Sequence, residues 1–314
     1  ETGGGGGGGA PAPKKALAKE DDIHIVFTSG CNLYQHWQAE LVFHSHMRVG
    51  QRGSITRIVS GCGDGDTVKP EKVFRSHGGG LADEKVPKED LYKSTNPKAR
   101  IHMAPDFEGA EAFPWLNKPL GIEHWIKHAD PPVVESVIVI IDVDMVFQDR
   151  LELGKRRLRV YNNKASPKDG LFCSGGCRGQ QFLGESIDGM TDEVKEGRPV
   201  AQLYGIGGQW ISKYNLKGFL PEDSAAHGVN QQDALQYYQV GPPLMLHRND
   251  LAKLAPLWAQ NMEHVMDPKK PQILADMYAY SIAAAHLKLP HLTLDNYMSS
   301  SSTIGGGEAN SMEI

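Results

Sequence analysis

The stretch VESVIVIIDVDMVFQ, residues 134–148, limits the fold more than any other part of the chain. Val137 to Ile141 is an unbroken apolar run, which suits a strand covered on both faces of a parallel sheet. The run stops at Asp142, and a second acid follows at Asp144 before Met145, Val146 and Phe147 resume the apolar character. On an extended chain, residues i and i+2 point to one side with Cα atoms ~6.6 Å apart. Two carboxylates so placed repel unless a cation lies between them, and hard oxygen donors suit Mn²⁺ or Mg²⁺. Ligands of parallel α/β sheets gather at the carboxyl ends of strands. A cation there bridges phosphate oxygens and offsets charge on a diphosphate leaving group.

The flanking pattern places this strand in an α/β fold. IHIVFTS (23–29) and SITRIVS (54–60) read as strands. Between them YQHWQAELVFHSHMRVG (34–50) reads as a helix, with Trp37, Leu41 and His44 on one face and Gly50 as its stop signal. Strand, helix, strand is the βαβ unit of a parallel sheet. NKPLGIEHWIKHA gives a helix with Pro119 near its first turn and Ile122, Trp125, Ile126 and Ala129 on one face. GPPLMLH (241–247) reads as a strand. Residues 249–265 read as a helix capped by Asn249 and interrupted or restarted at Pro256, and 272–287 as a further helix. Residues 63–115 before that second helix are irregular and polar, and 149–198 read as a long functional or disordered loop. The expected organisation is one domain over 23–298, a flexible linker over 1–22 and a low-complexity tail over 299–314.

With 314 residues and 40% hydrophobic content the chain can bury a sizeable core. A net charge of -5 gives no basic field, so nucleic acid is not an expected partner. No apolar run approaches the ~20 residues of a membrane span. The opening ETGGGGGGG reads as a trimmed end whose first three residues are vector-derived, leaving room for a removed signal or anchor. Cys31 and Cys62 follow the first and second strands, and parallel neighbours would place both thiols at one sheet edge, where they can bond. Cys173 and Cys177 flank a Gly-rich turn that can close into a small disulfide loop. C-x3-C with two distant singles is poor zinc spacing. Disulfides point to an oxidising compartment; four free thiols of a cytosolic enzyme are the other reading.

Two chemistries place two acids at such a strand end. DVDMV fits the D-x-D strand end of haloacid-dehalogenase-type phosphohydrolases, but that motif usually opens its domain, whereas two strands and two helices precede it here. Nucleotide-sugar glycosyltransferases of the single-sheet kind place D-x-D after an N-terminal nucleotide-binding half, which is the order found here. A sugar- or peptide-binding module without catalysis is a third reading.

The stretches CNLYQHWQAELVFHSHMRVGQRGSITRIVSGC, FPWLNKPLGIEHWIKHA, VIVIIDVDMVF, EGRPVAQLYGIG and LAPLW resemble the plant and algal peptidyl serine α-galactosyltransferases. DMYAYSIAAAHLKLPH and GPPLMLHRNDLAKLAPLW also resemble their relatives, the hydroxyproline O-arabinosyltransferases. The resemblance implies a GT-A-type, Rossmann-like sheet, a UDP-sugar donor, Mn²⁺ ahead of Mg²⁺, and residence in the lumen of the endoplasmic reticulum or Golgi. It implies an acceptor Ser in hydroxyproline-rich, extensin-like glycoproteins, with arabinofuranosyl transfer to hydroxyproline as the alternative. Carried over by residue, Thr28 and Ser29 lie under the uridine, and Arg57 reaches toward nucleotide or phosphate. Asn117 and Lys118 meet anions near a helix start. Asp144 and Asp142 hold the metal, Asp142 reaching metal or ribose, with His291 as third ligand. Asp276 faces the sugar or the acceptor hydroxyl as the catalytic candidate, and Gln209 and Trp210 line the sugar or acceptor groove. Transfer with retention needs no dedicated base, because the leaving phosphate can take the acceptor proton.

Overall fold

The computed structural model describes residues 22–62, 90, 92–94, 96–110, 113–154, 157–162, 181–204, 208–266, 274–294 and 297–298; of 157–162 and 181–191 only the backbone is described. The expected linker, the Cys173–Cys177 loop and the tail from residue 299 lie outside these residues.

Strands β1 (Ile23–Gly30), β2 (Ser54–Ser60), β3 (Ala99–Met103) and β4 (Val137–Ile141) run parallel, in the order β3-β2-β1-β4. The sheet continues through β8 (Val240–His247), antiparallel to β4, then β7 (Val200–Leu203) and β9 (Leu292–Leu294). This is a mostly parallel, Rossmann-like α/β sheet of seven strands with flanking helices. After β3 the chain turns back to lay β4 on the other side of β1, so the crevice between the ends of β1 and β4 is where such sheets bind ligands.

Alternation along the strands feeds two cores. Ile23, Ile25 and Phe27 of β1 pack with Ala39, Val42 and Phe43 of α1 (Leu33–Arg48). On the other face Val26, Ile58, Ile138 and Ile140 pack under α2 (Asn117–His128), α5 (Arg248–Val265) and α6 (Ala275–His286). Two short helices complete the set, α3 (Trp210–Lys213) and α4 (Gln231–Tyr237). Burial of β1 and β4 on both faces is what their near-continuous apolar runs require. The disulfide Cys31–Cys62 forms as expected, joining the ends of β1 and β2 with Cα atoms 5.1 Å apart. Closing a loop of that length stabilises by about 3–4 kcal/mol in the chain-entropy model.

Several local expectations are corrected. α1 turns its Trp37 and Leu41 to solvent, 53% and 41% exposed, and buries the stripe through Ala39, Val42 and Phe43 instead. Gly50 does end that helix region, at φ +65°. α5 is one helix through Pro256, and its cap is His247, whose Nδ1 accepts from the Asn249 N–H at 3.3 Å. The region 63–115 contains β3, whose Arg100 and His102 hide its strand character. The region 149–198 holds β5 (Arg157–Asn162) and β6 (Gln181–Thr191), paired antiparallel as a separate ribbon. Among the described residues no helix is long and apolar enough to cross a membrane.

The opposite end of the sheet from the crevice is held by a buried polar group. His24 sits between Glu135 Oε2, 3.1 Å from its Nδ1, and Thr56 Oγ1, 2.7 Å from its Nε2, while Ser54 donates to Glu135 Oε1 at 2.5 Å. Burial would raise the Glu135 carboxyl, but the bonds from His24 and Ser54 outweigh it and hold the group at about 2. A depressed carboxyl stabilises fully above its ordinary value of 4.5 and loses that contribution as pH falls toward about 2. Glu135→Gln is therefore expected to lower unfolding free energy by about 1–3 kcal/mol at neutral pH. In urea titrations its deficit against the parent chain should shrink as pH drops below 4.5; a deficit independent of pH would refute the ionic role.

Candidate functional site

A cavity of about 460 Å³ opens at the crevice between β1 and β4. Thr28, Ser29 and Gly30 reach it from the end of β1, and Asp142, Val143 and Asp144 from the segment after β4. Ile140 stands opposite Leu244, so Val240–Pro242 continue past the end of β4 and Pro242 joins the wall. α2 and α6 contribute their first turns, through Asn117, Lys118 and Asp276.

The D-x-D pair does not stay extended. β4 ends at Ile141 and the chain turns at once, the Met145 N–H donating to the Asp142 carbonyl at 3.1 Å. The pairing with β1 ends at Phe27 opposite Ile141, so no ladder holds the next residues straight. Both aspartates line the cavity nevertheless, Asp142 half-buried and Asp144 exposed.

At the centre is Lys118. Its ammonium donates to Asp142 Oδ1 at 2.7 Å and to Asp276 Oδ2 at 2.8 Å, and the side chain is 19% exposed. Burial alone would lower its pKa, but the two carboxylates, Asp142 and then Asp276, reverse that and hold it well above the usual lysine range. Lys118 is therefore a permanent cation. Gly121 allows α2 to bring it there. A Cβ at that position would stand 3.2 Å from Ile58 Cγ2 and 3.6 Å from Thr28 Cγ2. Asp276 is fixed from behind, where the buried Trp258 Nε1–H donates to its main-chain carbonyl at 2.7 Å.

Seven of the candidates meet here: Thr28, Ser29, Asn117, Lys118, Asp142, Asp144 and Asp276. Four do not line the cavity. Arg57 is fully buried behind the β1 end, donating to Ser29 Oγ at 2.7 Å, within 2.8 Å of His36 Nδ1, and 3.4 Å from the Gly30 carbonyl. It shapes the wall from below and does not reach into the space. Trp210 is a core residue packed edge-on against Tyr238. Gln209 is exposed and accepts from Tyr278 OH at 3.2 Å. His291 is buried before β9, 2.7 Å from Tyr280 OH, and burial pushes its imidazole down to about 3. It does not join the aspartates, and among the described residues no three His, Cys, Asp or Glu side chains are gathered for a metal. Asp142 and Asp144 alone suit a hard cation that takes one or two carboxylates and fills its shell with substrate oxygens and water.

The cavity also holds residues not nominated from the sequence. Tyr204 follows β7, a strand not recognised because it is only four residues long. Burial, then Asp142 and Asp144, raises its phenol, which remains a hydrogen-bond donor. Gln35 and Gln38 of α1 line the rim, Gln35 Oε1 accepting from the Gly30 N–H. The spacing Asn32-x-x-Gln35 resembles a capping box and was a usable signal, since Asn32 Oδ1 accepts from the Gln35 N–H at 2.8 Å.

No protein-family model matches the chain. It is similar to the peptidyl serine alpha-galactosyltransferase of Arabidopsis thaliana, 26% identical over 300 residues, covering 88% of this chain and 27% of that protein. The chain thus spans about a quarter of that relative's length, and the likeness supports a distant family relationship.

Lys118→Met removes the only counter-charge seen between Asp142 and Asp276 among the described residues. Breaking a buried pair on one side costs about 3–5 kcal/mol, and partial exposure reduces the expectation here to about 1–3 kcal/mol. In a double-mutant cycle Lys118→Met with Asp276→Asn should show coupling of about 1 kcal/mol or more in chemical denaturation; strictly additive losses would contradict the bridge.

Proposed function

We propose that this chain is the donor-binding and catalytic region of a GT-A-type glycosyltransferase that moves galactose from UDP-galactose to a serine hydroxyl of a hydroxyproline-rich peptide. The observation that carries the reading is the Lys118 ammonium held between Asp142 and Asp276 at the crevice of the sheet. A site that transfers a sugar from a nucleoside diphosphate needs fixed positive charge for the leaving diphosphate and carboxylates for the sugar, and both stand here. The distant likeness to a peptidyl serine alpha-galactosyltransferase supports the sugar and the acceptor class. The Cys31–Cys62 disulfide supports residence in the oxidising lumen of the secretory pathway.

In this reading Thr28, Ser29 and the Gly30 backbone receive the nucleoside. Asn117 and Lys118, in the first turn of α2, face the diphosphate with their side chains at the positive end of the helix dipole. A divalent ion held by Asp142 and Asp144, Mn²⁺ ahead of Mg²⁺, would neutralise diphosphate charge as a Lewis acid when bound. Lys118 adds a charge of its own, already oriented and largely shielded from water, which makes it effective as charge develops on the leaving group. Asp276, fixed by Trp258 and Lys118, accepts a hydrogen bond from a sugar or acceptor hydroxyl. Tyr204 donates from the opposite wall.

An α-linked product from an α-linked donor requires retention. The serine oxygen attacks the anomeric carbon on the face the diphosphate leaves, the bond to UDP breaks, and a phosphate oxygen takes the serine proton. No side-chain base is needed.

Acceptor-dependent UDP release should be measured with UDP-galactose and UDP-arabinofuranose, crossed with Ser and hydroxyproline peptides, with and without Mn²⁺. The reading expects release with UDP-galactose and Ser peptides, and a fall of about 100-fold or more on Asp144→Ala or Asp276→Asn in folded protein. Activity undiminished in Asp144→Ala and in excess chelator would remove the metal role. Phosphate release from simple phosphoesters without acceptor would favour a phosphohydrolase instead.

A further inference from the structure

His102 of β3 and His124 and His128 of α2 form a cluster that the crevice does not use. His102 Nε2 and His124 Nδ1 are 2.8 Å apart. The ring centroids of His102 and His124 are 5.0 Å apart, and those of His124 and His128 4.7 Å. His128 is exposed and the other two are half-buried, so the group is open to solvent. Along the helix His124 and His128 lie about 9 and 15 Å from Lys118 at 1.5 Å per residue.

We propose that this cluster is a second ligand site, for an imidazole-preferring divalent cation of the late first row, Ni²⁺, Cu²⁺ or Zn²⁺. Imidazole nitrogens suit these ions, whereas Mg²⁺ and Mn²⁺ favour oxygen, so the site is chemically separate from the aspartates of the crevice. The 2.8 Å between His102 and His124 nitrogens is close to the ~2.9 Å between neighbouring ligands at a right angle with metal–nitrogen bonds of ~2.0–2.1 Å. The two rings now face each other through a hydrogen bond, so both must turn for their lone pairs to meet at one ion, and tetrahedral Zn²⁺ also needs the nitrogens ~3.3 Å apart, an opening of about half an ångström. The ion takes the place of the proton between the two rings; each neutral imidazole keeps one proton on its other ring nitrogen, so the donor ring changes tautomer and no net proton is released. His124 and His128 have the i, i+4 spacing that places two imidazoles on one helix face for a metal. As they stand the three side chains do not converge on one point, in keeping with the absence of gathered triplets among the described residues. His128 joins the pair by rotating, a motion open to an exposed side chain.

Burial and the neighbouring rings His124 and His128 hold His102 at about 4, and burial and His128 lower His124. At neutral pH both therefore keep a lone pair for a metal.

The test titrates Ni²⁺ into tag-free, metal-free chain by calorimetry, with thermal unfolding alongside. The expected result is one tight equivalent that raises Tm, is insensitive to excess Mg²⁺, and weakens about tenfold or more on His124→Ala. His128→Ala, which removes an exposed side chain, should weaken binding several-fold while leaving the metal-free Tm unchanged. That variant decides the matter if His124→Ala fails to fold. Equal Ni²⁺ affinity in the parent chain and both variants would put the ion at others of the 13 histidines and overturn the proposal, as would no binding at all. Neither outcome touches the glycosyl-transfer reading.

Discussion

One ammonium joins three separate parts of the chain. Lys118 stands in the first turn of α2 and holds Asp142 at the end of β4 and Asp276 at the start of α6. Without it two acids from distant segments would face each other across the crevice, and repulsion would push the end of β4 and the start of α6 apart. With it, one of the two negative charges is offset, and Asp144 remains exposed at the cavity. The same contact that closes the fold here therefore also sets the electrostatics that a diphosphate would meet.

The crevice exists because the sheet reverses direction of growth at β1. β2 and β3 build outward on one side, and the crossover through α2 returns to lay β4 on the other. α2 can descend onto β1 and β2 because Gly121 offers no side chain at the closest approach. The Cys31–Cys62 bridge ties the ends of β1 and β2 together beside the cavity, and the buried Arg57 guanidinium holds Ser29 and Gly30 from beneath. Burial draws that guanidinium down to about 10, still a full cation at neutral pH. The cavity wall is thus built from a covalent tie, a buried charge and a missing methyl group.

Much of the central sheet was legible because parallel strands buried on both faces write continuous apolar runs. β1, β2, β4 and β8 were found within a residue or so. β3, β7 and β9 were not, because short strands toward the sheet edges carry polar residues and too few positions to establish a period. α1 carries two apolar stripes, through Trp37 and Leu41 and through Ala39, Val42 and Phe43, and only packing selects which of them is buried. The candidates that line the crevice belong to strand ends and helix starts, positions with recognisable punctuation. His291 and Trp210 are buried away from the cavity, and a histidine or tryptophan near a loop reads the same in sequence whether it faces a cavity or the core.

By itself the sequence determined the parallel α/β core, the acids at the end of its central strand, and a disulfide between neighbouring strand ends. These follow from local pattern and from the fixed geometry of strands. The lysine that bridges Asp142 and Asp276, the tyrosine beside them and the contact between His102 and His124 were decided only by tertiary structure. Each joins residues distant in sequence, and no periodicity along a chain records which side chains a crossover will bring within 3 Å of each other.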